Sequence, residues 1–212
     1  MLSNVLRVAA GAALAAGLVT GPTGPASAAA TCAYAPDGKA ARSVGTPPGD
    51  VSRLRPYAAT LHTNHGTVVF EADTAKAPCT TNSFAYLAGR KYFDGTTCHR
   101  LTTVGIFVLQ CGDPTGTGSG GPGYRFGDEN LTGAVYPAGT VAMANAGPGT
   151  NGSQFFLVYR DTRLPPHYTP FGKITRNAQV LREIAKKGTG DGGGDGAPRQ
   201  QVTVDSVRIA AR

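Results

Sequence analysis

Glycine and proline interrupt this chain so often that long regular elements are excluded over most of its length. The 212 residues include 30 glycines and 15 prolines. Between residues 92 and 159 only short apolar runs separate the loops, for example at 141–144 and 155–159. Such runs predict short β-strands, and a further strand is predicted at 202–209. Many short strands joined by turns are typical of an antiparallel sheet or barrel.

Three segments have stronger local signals. Residues 59–72 alternate apolar and polar side chains around an Asn-His-Gly turn, which predicts a β-hairpin. Residues 78–89 have apolar side chains at helical spacing, with Thr80 or Thr81 as the N-cap. A second helix is predicted near residues 177–187. The fold class is therefore mainly β, with two helices.

The first 30 residues are typical of a secretory signal peptide. Arg7 is their only charge, an apolar run follows at 8–19, and Ala-Ser-Ala precedes the predicted cleavage after Ala28 or Ala30. An uncleaved anchor is the alternative, but this run is short for a membrane span. A lipoprotein is disfavoured, because a threonine rather than a small residue precedes the first cysteine. We therefore expect a secreted protein, extracellular or in the cell envelope, without stable membrane insertion.

Export permits disulfide bonds between the four cysteines. Residues 31–57 are predicted to form an extended arm before a domain at 58–212. Three pairings are possible, and Cys98–Cys111 is favoured because these residues flank two short predicted strands whose facing positions can be bridged. Cys32–Cys79 would then join the arm to the domain. Four free thiols are the alternative, and the absence of a CxxC spacing argues against a metal site.

The remaining composition and motifs do not indicate a cofactor or a nucleic-acid partner. The formal charge of +7 comes from scattered basic residues, which is typical of a solvated surface. The GxGxxG match at 116–121 runs into Pro122 instead of a helix. Asp191 and Asp195 lie in a glycine-rich segment, 188–198, that is predicted to be mobile and lacks a calcium-binding spacing. We expect no metal and no cofactor.

Six segments stand in a characteristic order along the chain. They are YFDGTTCHR at 92–100, GIFVLQCGD at 105–113, DEN at 128–130, MANAGP at 143–148, NGSQFF at 151–156 and FGK at 171–173. In this order they closely resemble the cyclophilin family of peptidyl-prolyl cis–trans isomerases, over about residues 58–210. The resemblance implies a closed eight-stranded antiparallel barrel capped by two helices. It also implies proline-containing peptides and unfolded protein clients as partners.

The resemblance implies a peptide lying extended on the barrel surface, with its proline ring in an apolar pocket. The residues implied to line this pocket are Phe107, Val108, Phe156, Leu164 and Tyr168. His167 is the alternative to Tyr168, because it is adjacent and a one-residue slip would exchange them. The residues implied to hold the peptide backbone are Gln110, Ala144, Asn145 and Ala146, with Gln154 supporting the surface. Small and amide side chains suit a surface that must satisfy a flat peptide's N–H and C=O groups.

Isomerisation breaks no covalent bond, which is consistent with the absence of a strong acid, base or nucleophile between residues 145 and 154. In the twisted transition state the proline nitrogen gains a usable lone pair, and a donor aimed at it would lower the barrier. The resemblance assigns this role to Arg100, oriented by Gln110. A surface salt bridge is the alternative role for Arg100, and His99 is interpreted as a buried histidine satisfied by backbone hydrogen bonds.

The chain departs from the common family pattern at several positions. Six residues separate Arg100 from Phe107, two more than usual, and Val108 replaces a common methionine. Arg163 stands where many members have a tryptophan that contacts cyclosporin, so cyclosporin sensitivity does not follow from the resemblance. We expect a monomer. A cyclophilin-like module that only binds proline-containing peptides is the alternative function.

Overall fold

The structure is a computed structural model that describes residues 31–212. The predicted signal peptide lies outside the described residues. The described chain contains twelve strands and two helices, so the mainly β class with two helices is confirmed. No helix within residues 31–212 is both long and apolar enough to cross a membrane.

The helices and most strands fall where the sequence predicts them. Helix α1 is Pro78–Gly89 and helix α2 is Gln179–Lys186. The strands are β1 Ala35–Pro36, β2 Tyr57–Thr63, β3 Gly66–Ala72, β4 Thr96–Thr97, β5 Arg100–Thr102, β6 Val108–Cys111, β7 Tyr124–Arg125, β8 Thr140–Met143, β9 Phe155–Val158, β10 Pro170–Arg176, β11 Asp195–Gly196 and β12 Thr203–Ala211.

Ten of these strands form one antiparallel sheet. Their order is β11-β5-β6-β9-β8-β10-β3-β2-β12-β4, and β1 pairs separately with β7. The sheet is strongly curled into a half-barrel. The implied closed eight-stranded barrel is not confirmed, because the pairing order has two ends, the two-residue strands β11 and β4.

Aromatic side chains join α1 to the concave face of the sheet. The Phe84 ring stacks on Phe93 with centroids 5.1 Å apart. It meets Phe70 at 5.3 Å and Phe155 at 5.4 Å in edge-to-face contacts. Each of these rings is buried. Burying a phenylalanine stabilises a fold by about 1.5–3 kcal/mol, so this cluster fixes the helix on the sheet.

The N-terminus of α1 is satisfied from elsewhere in the chain. No side chain caps it locally, so the prediction of Thr80 or Thr81 as N-cap is wrong. The Glu129 carboxylate accepts the N–H groups of Cys79 at 2.9 Å and Thr80 at 2.8 Å. A carboxylate suits this position because the first N–H groups of a helix lack partners and carry partial positive charge. Thr81 instead bonds back to the Ala77 carbonyl at 2.8 Å.

The arm lies against the body of the protein. Cys32 and Cys79 are joined by a disulfide with Cα atoms 5.3 Å apart. Next to this bond, the Tyr34 ring meets the rings of Tyr124 and Phe126, each at 5.5 Å. Its hydroxyl donates to the Cys79 carbonyl at 2.8 Å. The start of the arm, at Cys32 and Tyr34, is therefore fixed to the domain by one disulfide, two ring contacts and one hydrogen bond.

Candidate active site

Strand register places the predicted polar and aromatic site residues in one row. Arg100 on β5 faces Gln110 on β6, and Gln110 faces Phe156 on β9. Phe156 in turn faces Ala142 on β8. Directly opposed residues of antiparallel strands project from the same face of a sheet. The four residues therefore form a row on the outer face.

A cavity of about 150 Å³ opens beside this row. The lining residues share the outer face or reach it from neighbouring loops; they are Arg100, Ile106, Val108, Gln110, Ala144, Asn145, Phe156, Leu164 and Tyr168. Eight of them were predicted as site residues from the sequence. The floor is apolar, because Val108 and Phe156 are buried in a cluster that is separate from the concave core.

The wall of the cavity comes from the loop between β9 and β10. Tyr168, rather than the exposed His167, lines the cavity. The Tyr168 ring meets Phe156 edge to face at 5.7 Å. The buried Tyr136 fixes this position, since its hydroxyl donates to the Tyr168 carbonyl at 2.8 Å and accepts the Tyr168 N–H at 3.1 Å. Tyr168 therefore takes the position in the cavity wall for which His167 was the alternative.

Phe107 is placed differently from the sequence assignment. It does not line the cavity, and Ile106 does. The Phe107 ring contacts Tyr159 with centroids 6.0 Å apart and lies under the Arg160 guanidinium, 3.2 Å from the ring centroid. The reason is the alternation of side chains along an extended chain. Residues 106, 108 and 110 share one face, and Phe107 points away from it.

A larger groove of about 570 Å³ adjoins the cavity. The two spaces share Gln110, Ala144 and Asn145. Predicted site residues Ala146 and Gln154 line only the groove. Residues 37–39 of the arm form part of its wall, which the sequence did not predict. The arm reaches this place because the Asp37 N–H donates to the Gly123 carbonyl at 3.0 Å.

Asn145 is held so that its backbone faces the groove. Its side-chain N–H donates to the His167 carbonyl at 2.8 Å, and its side-chain oxygen accepts the Gly147 N–H at 3.3 Å. Within residues 31–212, neither the N–H nor the C=O of Asn145 bonds to another backbone group. This backbone can therefore pair with an extended peptide, as the sequence comparison implied.

A chain of amide side chains supports Arg100 from one side. Arg100 Nη1 donates to Gln110 Oε1 at 3.3 Å, and Gln110 Nε2 donates to Gln154 Oε1 at 2.9 Å. Gln154 Nε2 then donates to the carbonyl oxygens of Gly118 at 2.8 Å and Gly120 at 3.0 Å. These bonds hold Gln110 beside the guanidinium and Gln154 beside Gln110, and the orienting role of Gln110 stays a prediction.

The segment that receives Gln154, residues 112–120, is here called the Asp113 loop. The Asp113 side chain is buried and gathers the loop around its carboxylate. It accepts N–H groups from Thr115 at 2.7 Å, Gly118 at 2.7 Å and Gly120 at 3.0 Å. Burial acts to raise the pKa of Asp113, but these N–H groups and the Thr115 hydroxyl outweigh it and lower the pKa below its ordinary value.

Arg100 also forms a partly exposed salt bridge, which the sequence analysis gave as its alternative role; the partner, Asp195, was not identified from the sequence. Asp195 lies in residues 188–196, here called the Asp195 loop. Arg100 Nε donates to Asp195 Oδ1 and Nη2 to Oδ2, both at 2.7 Å. The bond with Asp195 raises the pKa of Arg100 and lowers that of Asp195. Within the segment 188–198, which the sequence predicts to be mobile, β11 pairs with β5.

The cysteines and His99 complete the surroundings. The second disulfide joins Cys98 to Cys111, with Cα atoms 4.0 Å apart, so both predicted pairings are present. This bond flanks the facing pair Arg100 and Gln110. Neither ring nitrogen of His99 has a hydrogen-bond partner within residues 31–212, so its interpretation as satisfied by backbone groups is wrong. Burial lowers the pKa of His99.

The described part of the chain holds no group of three or more His, Cys, Asp or Glu side chains arranged to bind a metal. The residues that line the site offer directed hydrogen bonds and the charge of Arg100 beside a cavity with an apolar floor. A guanidinium at the edge, carbonyl and N–H groups along the groove and a buried aromatic floor can bind an extended chain and one apolar ring.

Comparison with known proteins agrees with this geometry. The family model described as cyclophilin type peptidyl-prolyl cis-trans isomerase/CLD matches residues 58–209. The chain belongs to this cyclophilin-type peptidyl-prolyl cis-trans isomerase family, as the sequence resemblance indicated.

The relatives include mycobacterial proteins named peptidyl-prolyl cis-trans isomerase B. The one from Mycobacterium leprae is 46% identical over 195 residues, covering 84% of this chain and 66% of the relative. The one from Mycobacterium tuberculosis is 46% identical over 200 residues, covering 85% of this chain and 64% of the relative. The chain thus spans just under two thirds of the length of these relatives.

A solved structure gives the same fold. A cyclophilin type peptidyl-prolyl cis-trans isomerase from Cryptosporidium parvum, crystallised in the presence of the dipeptide Ala-Pro, superposes with a TM-score of 0.65 at 29% identity. The match covers 73% of this chain and 99% of that protein. The shared region is therefore a complete cyclophilin domain of that protein.

Proposed function

We propose that the chain is a peptidyl-prolyl cis–trans isomerase that accelerates rotation about X-Pro bonds in exported or extracellular proteins. The observation that carries the proposal is the position of Arg100, whose guanidinium lies at the rim of an apolar cavity and bonds to Gln110 at 3.3 Å. Family membership and the Ala-Pro dipeptide present with the Cryptosporidium parvum relative support the same substrate class.

Substrate would bind as an extended peptide across the groove. Its proline ring would enter the cavity between Val108, Phe156 and Leu164. The peptide residue before the proline would pair with the free backbone groups of Asn145. Ala144 and Ala146 would let the peptide lie flat, since neither has a side chain that rises above the surface. Burial of the ring fixes the proline while the preceding carbonyl rotates.

Rate enhancement would come from selective stabilisation of the twisted peptide bond. The barrier of about 18–20 kcal/mol reflects lost amide resonance, and the pyramidal proline nitrogen of the transition state accepts a hydrogen bond that the planar amide does not. Arg100 would donate that bond. Arginine suits the role because it stays charged and holds its donors in one plane.

The test is turnover of a short X-Pro peptide by the purified protein and by Arg100→Ala. We expect kcat/KM to fall at least about a hundredfold in the variant, the size seen for loss of one transition-state donor, with an unchanged melting temperature. Arg208→Ala is the matched control, because Arg208 is a half-exposed arginine paired with Asp94 at 3.8 Å, outside the site. Full activity of Arg100→Ala would contradict the proposal. A folded wild-type protein without turnover would leave peptide binding as the function.

The cellular location is part of the proposal. Two disulfides support an oxidising compartment, since such bonds are rare in a reducing cytosol. We expect N-terminal sequencing of the exported protein to find a mature chain beginning after Ala28 or Ala30, with the arm 31–57 preceding the domain 58–212. A chain that keeps its first residues in the cytosol would contradict this location.

The expected partners are unfolded clients that contain proline, and the protein is expected to act as a monomer. Arg163 is exposed next to Leu164, at the position where a tryptophan would contact cyclosporin. An arginine there offers no indole for that contact, so we expect cyclosporin to inhibit weakly. Inhibition of peptide turnover by cyclosporin, compared between wild type and Arg163→Trp, measures this effect directly.

A further inference from the structure

The Asp195 loop is folded onto the strand that carries Arg100. Asp195 faces Thr102 in the β11–β5 pair, and the Thr103 N–H donates to the Gly194 carbonyl at 2.7 Å. The loop is closed on itself by the Gly190 N–H, which donates to the Ala197 carbonyl at 2.8 Å. These backbone bonds bring the Asp195 carboxylate to the guanidinium, 95 residues earlier in the chain.

The geometry of the ion pair leaves part of Arg100 free. A guanidinium has five N–H donors. Asp195 takes one on Nε and one on Nη2, and Gln110 takes one on Nη1. One donor on Nη1 and one on Nη2 remain. Asp195 therefore occupies the Nε edge, and the end of the guanidinium stays available to a ligand in the cavity.

Gln110 alone would hold this side chain loosely. Its contact with Nη1 is 3.3 Å, close to the limit of a hydrogen bond, whereas both contacts with Asp195 are 2.7 Å. A bidentate carboxylate fixes the plane of a guanidinium as well as its position. A long, flexible arginine side chain loses rotamer entropy when it is fully ordered. A site that orders Arg100 before substrate binds does not lose that entropy in the transition state.

We propose that Asp195 is a positioning residue for Arg100, holding the guanidinium by its Nε edge so that the end carrying Nη1 and Nη2 faces the proline cavity. The inference rests on the proposed role of Arg100 in isomerisation. It assigns a function to a loop of which no residue lines the cavity or the groove. Asp195 would act through Arg100 and not on the peptide.

The test compares Asp195→Ala and Asp195→Asn with wild type, measuring kcat and KM separately. We expect kcat to fall about tenfold, as for a modest misplacement of a catalytic group, while KM stays within about twofold. Asp195 is exposed, so both variants are expected to fold with an unchanged melting temperature. Glu183→Gln is the matched control, since Glu183 is an exposed acid paired with Lys186 at the same 2.7 Å, away from the site.

A double-mutant cycle separates positioning from a general structural effect. In the Arg100→Ala background, Asp195→Ala should cause no further loss, because a residue that acts only through Arg100 has nothing left to hold. An equal further loss in that background would overturn the inference. So would unchanged kcat, and so would a rise in kcat, which would mean that Asp195 restrains Arg100 from the substrate.

A spectroscopic readout keeps this test independent of turnover. The Nε–H signal of Arg100 should be a distinct, slowly exchanging resonance in wild type and should be lost in Asp195→Asn. If the wild-type protein showed no isomerisation but kept this signal, the proposed function would be wrong, whereas the positioning of Arg100 by Asp195 would be supported. If the signal were absent from the wild-type protein, the inference that Asp195 positions Arg100 would be overturned.

Discussion

Two glycine-rich loops contact the candidate site at opposite ends of one series of hydrogen-bonded side chains. The aspartate of one loop bonds within its own loop, and the aspartate of the other bonds to the site. Asp113 is buried and accepts hydrogen bonds from its own loop. Asp195 is exposed, and its carboxylate bonds outward to Arg100. The hydrogen-bonded side chains between the two loops run from the Asp113 loop through Gln154 and Gln110 to Arg100.

The two aspartates therefore have different effects: Asp113 determines the shape of a loop, and Asp195 the orientation of Arg100. Asp113 determines the shape of its loop, and the loop then presents the carbonyl groups of Gly118 and Gly120 to Gln154. Its effect on Arg100 is indirect, through two amides. Asp195 contacts Arg100 directly and supports nothing else in the site. We therefore expect substitutions at Asp113 to affect stability first, and substitutions at Asp195 to affect kcat first.

Asp113→Ala should have the largest effect on the fold. Buried N–H groups without an acceptor cost about 1–3 kcal/mol each, and we expect a total loss of about 3 kcal/mol because some of them would reach water. This corresponds to a melting temperature about 10 °C lower for a domain of this size. Thermal unfolding measures the shift, and peptide turnover should fall with it because Gln154 loses its acceptors.

The control for this substitution is Asp205→Ala, at an exposed position on β12. A surface substitution of this kind is expected to change the free energy of unfolding by less than about 0.5 kcal/mol. A melting temperature of Asp113→Ala within about 2 °C of the wild-type value would contradict this expectation. The shape of the Asp113 loop would then not depend on its carboxylate, and the difference drawn here between Asp113 and Asp195 would not hold.

Alanine at one glycine of each loop sharpens the comparison. A Cβ on Gly120 would collide with Asp113 Oδ1, which is buried and held. We expect Gly120→Ala to cost about 2 kcal/mol, as for other overpacked sites. A Cβ on Gly194 would lie 2.8 Å from Val104 Cγ2, but Val104 is 72% exposed and can move. We expect about 1 kcal/mol there, chiefly from the backbone φ of +86°.

Chemical denaturation measures both costs. Gly121→Ala is the matched control, because it adjoins Gly120 and a Cβ there meets nothing within 4 Å. It should be close to neutral in stability. Equal costs at Gly120 and Gly194 would show that the two loops are equally rigid. Gly194→Ala should also lower kcat by shifting Asp195.

Local patterns predicted the elements that form the frame of the site. Helix α1 has the predicted bounds, because its apolar residues recur at helical spacing after Pro78. The strands around the site were predicted from short apolar runs between glycine-rich turns. Ile106 rather than Phe107 lines the cavity, and the sequence held a signal for this. Val108 was assigned to the pocket and Gln110 to the peptide backbone beside it, so the alternation of a strand puts Ile106, and not Phe107, on the same face as these two residues.

Contacts between distant segments left no such signal. Asp195 meets Arg100 across 95 positions, and Glu129 meets the start of α1 across about 50. Each acid is one of several in a polar loop, and nothing local distinguishes it from a solvated carboxylate. The glycines around Asp195 predicted mobility because they permit many conformations. The structure instead uses their positive φ angles, as at Gly192 and Gly194, to fold the loop onto β5.

The smallest expected effect is the dependence of stability on acid pH. The pKa of Asp113 and the pKa of Asp195 both lie below their ordinary value. A carboxyl whose pKa is lowered by folding stabilises the protein above the unfolded pKa of about 3.9, and loses that contribution as pH falls through the folded pKa. Between about pH 5 and 8 both groups are ionised in the folded and the unfolded protein, because this range lies above the reference pKa. Neither group should then make the free energy of unfolding depend on pH.

Urea unfolding of wild type, Asp113→Ala and Asp195→Asn at several pH values measures this dependence. Below about pH 4 the stability gap between wild type and Asp113→Ala should narrow, because wild type loses the contribution that the variant already lacks. The gap for Asp195→Asn should be small at every pH, since an exposed ion pair contributes little. A gap that stayed constant for Asp113→Ala down to about pH 3 would mean that the loop is held by packing rather than by the charge of Asp113. A large, pH-dependent gap for Asp195→Asn would mean that the Asp195 loop supports the fold as well as Arg100.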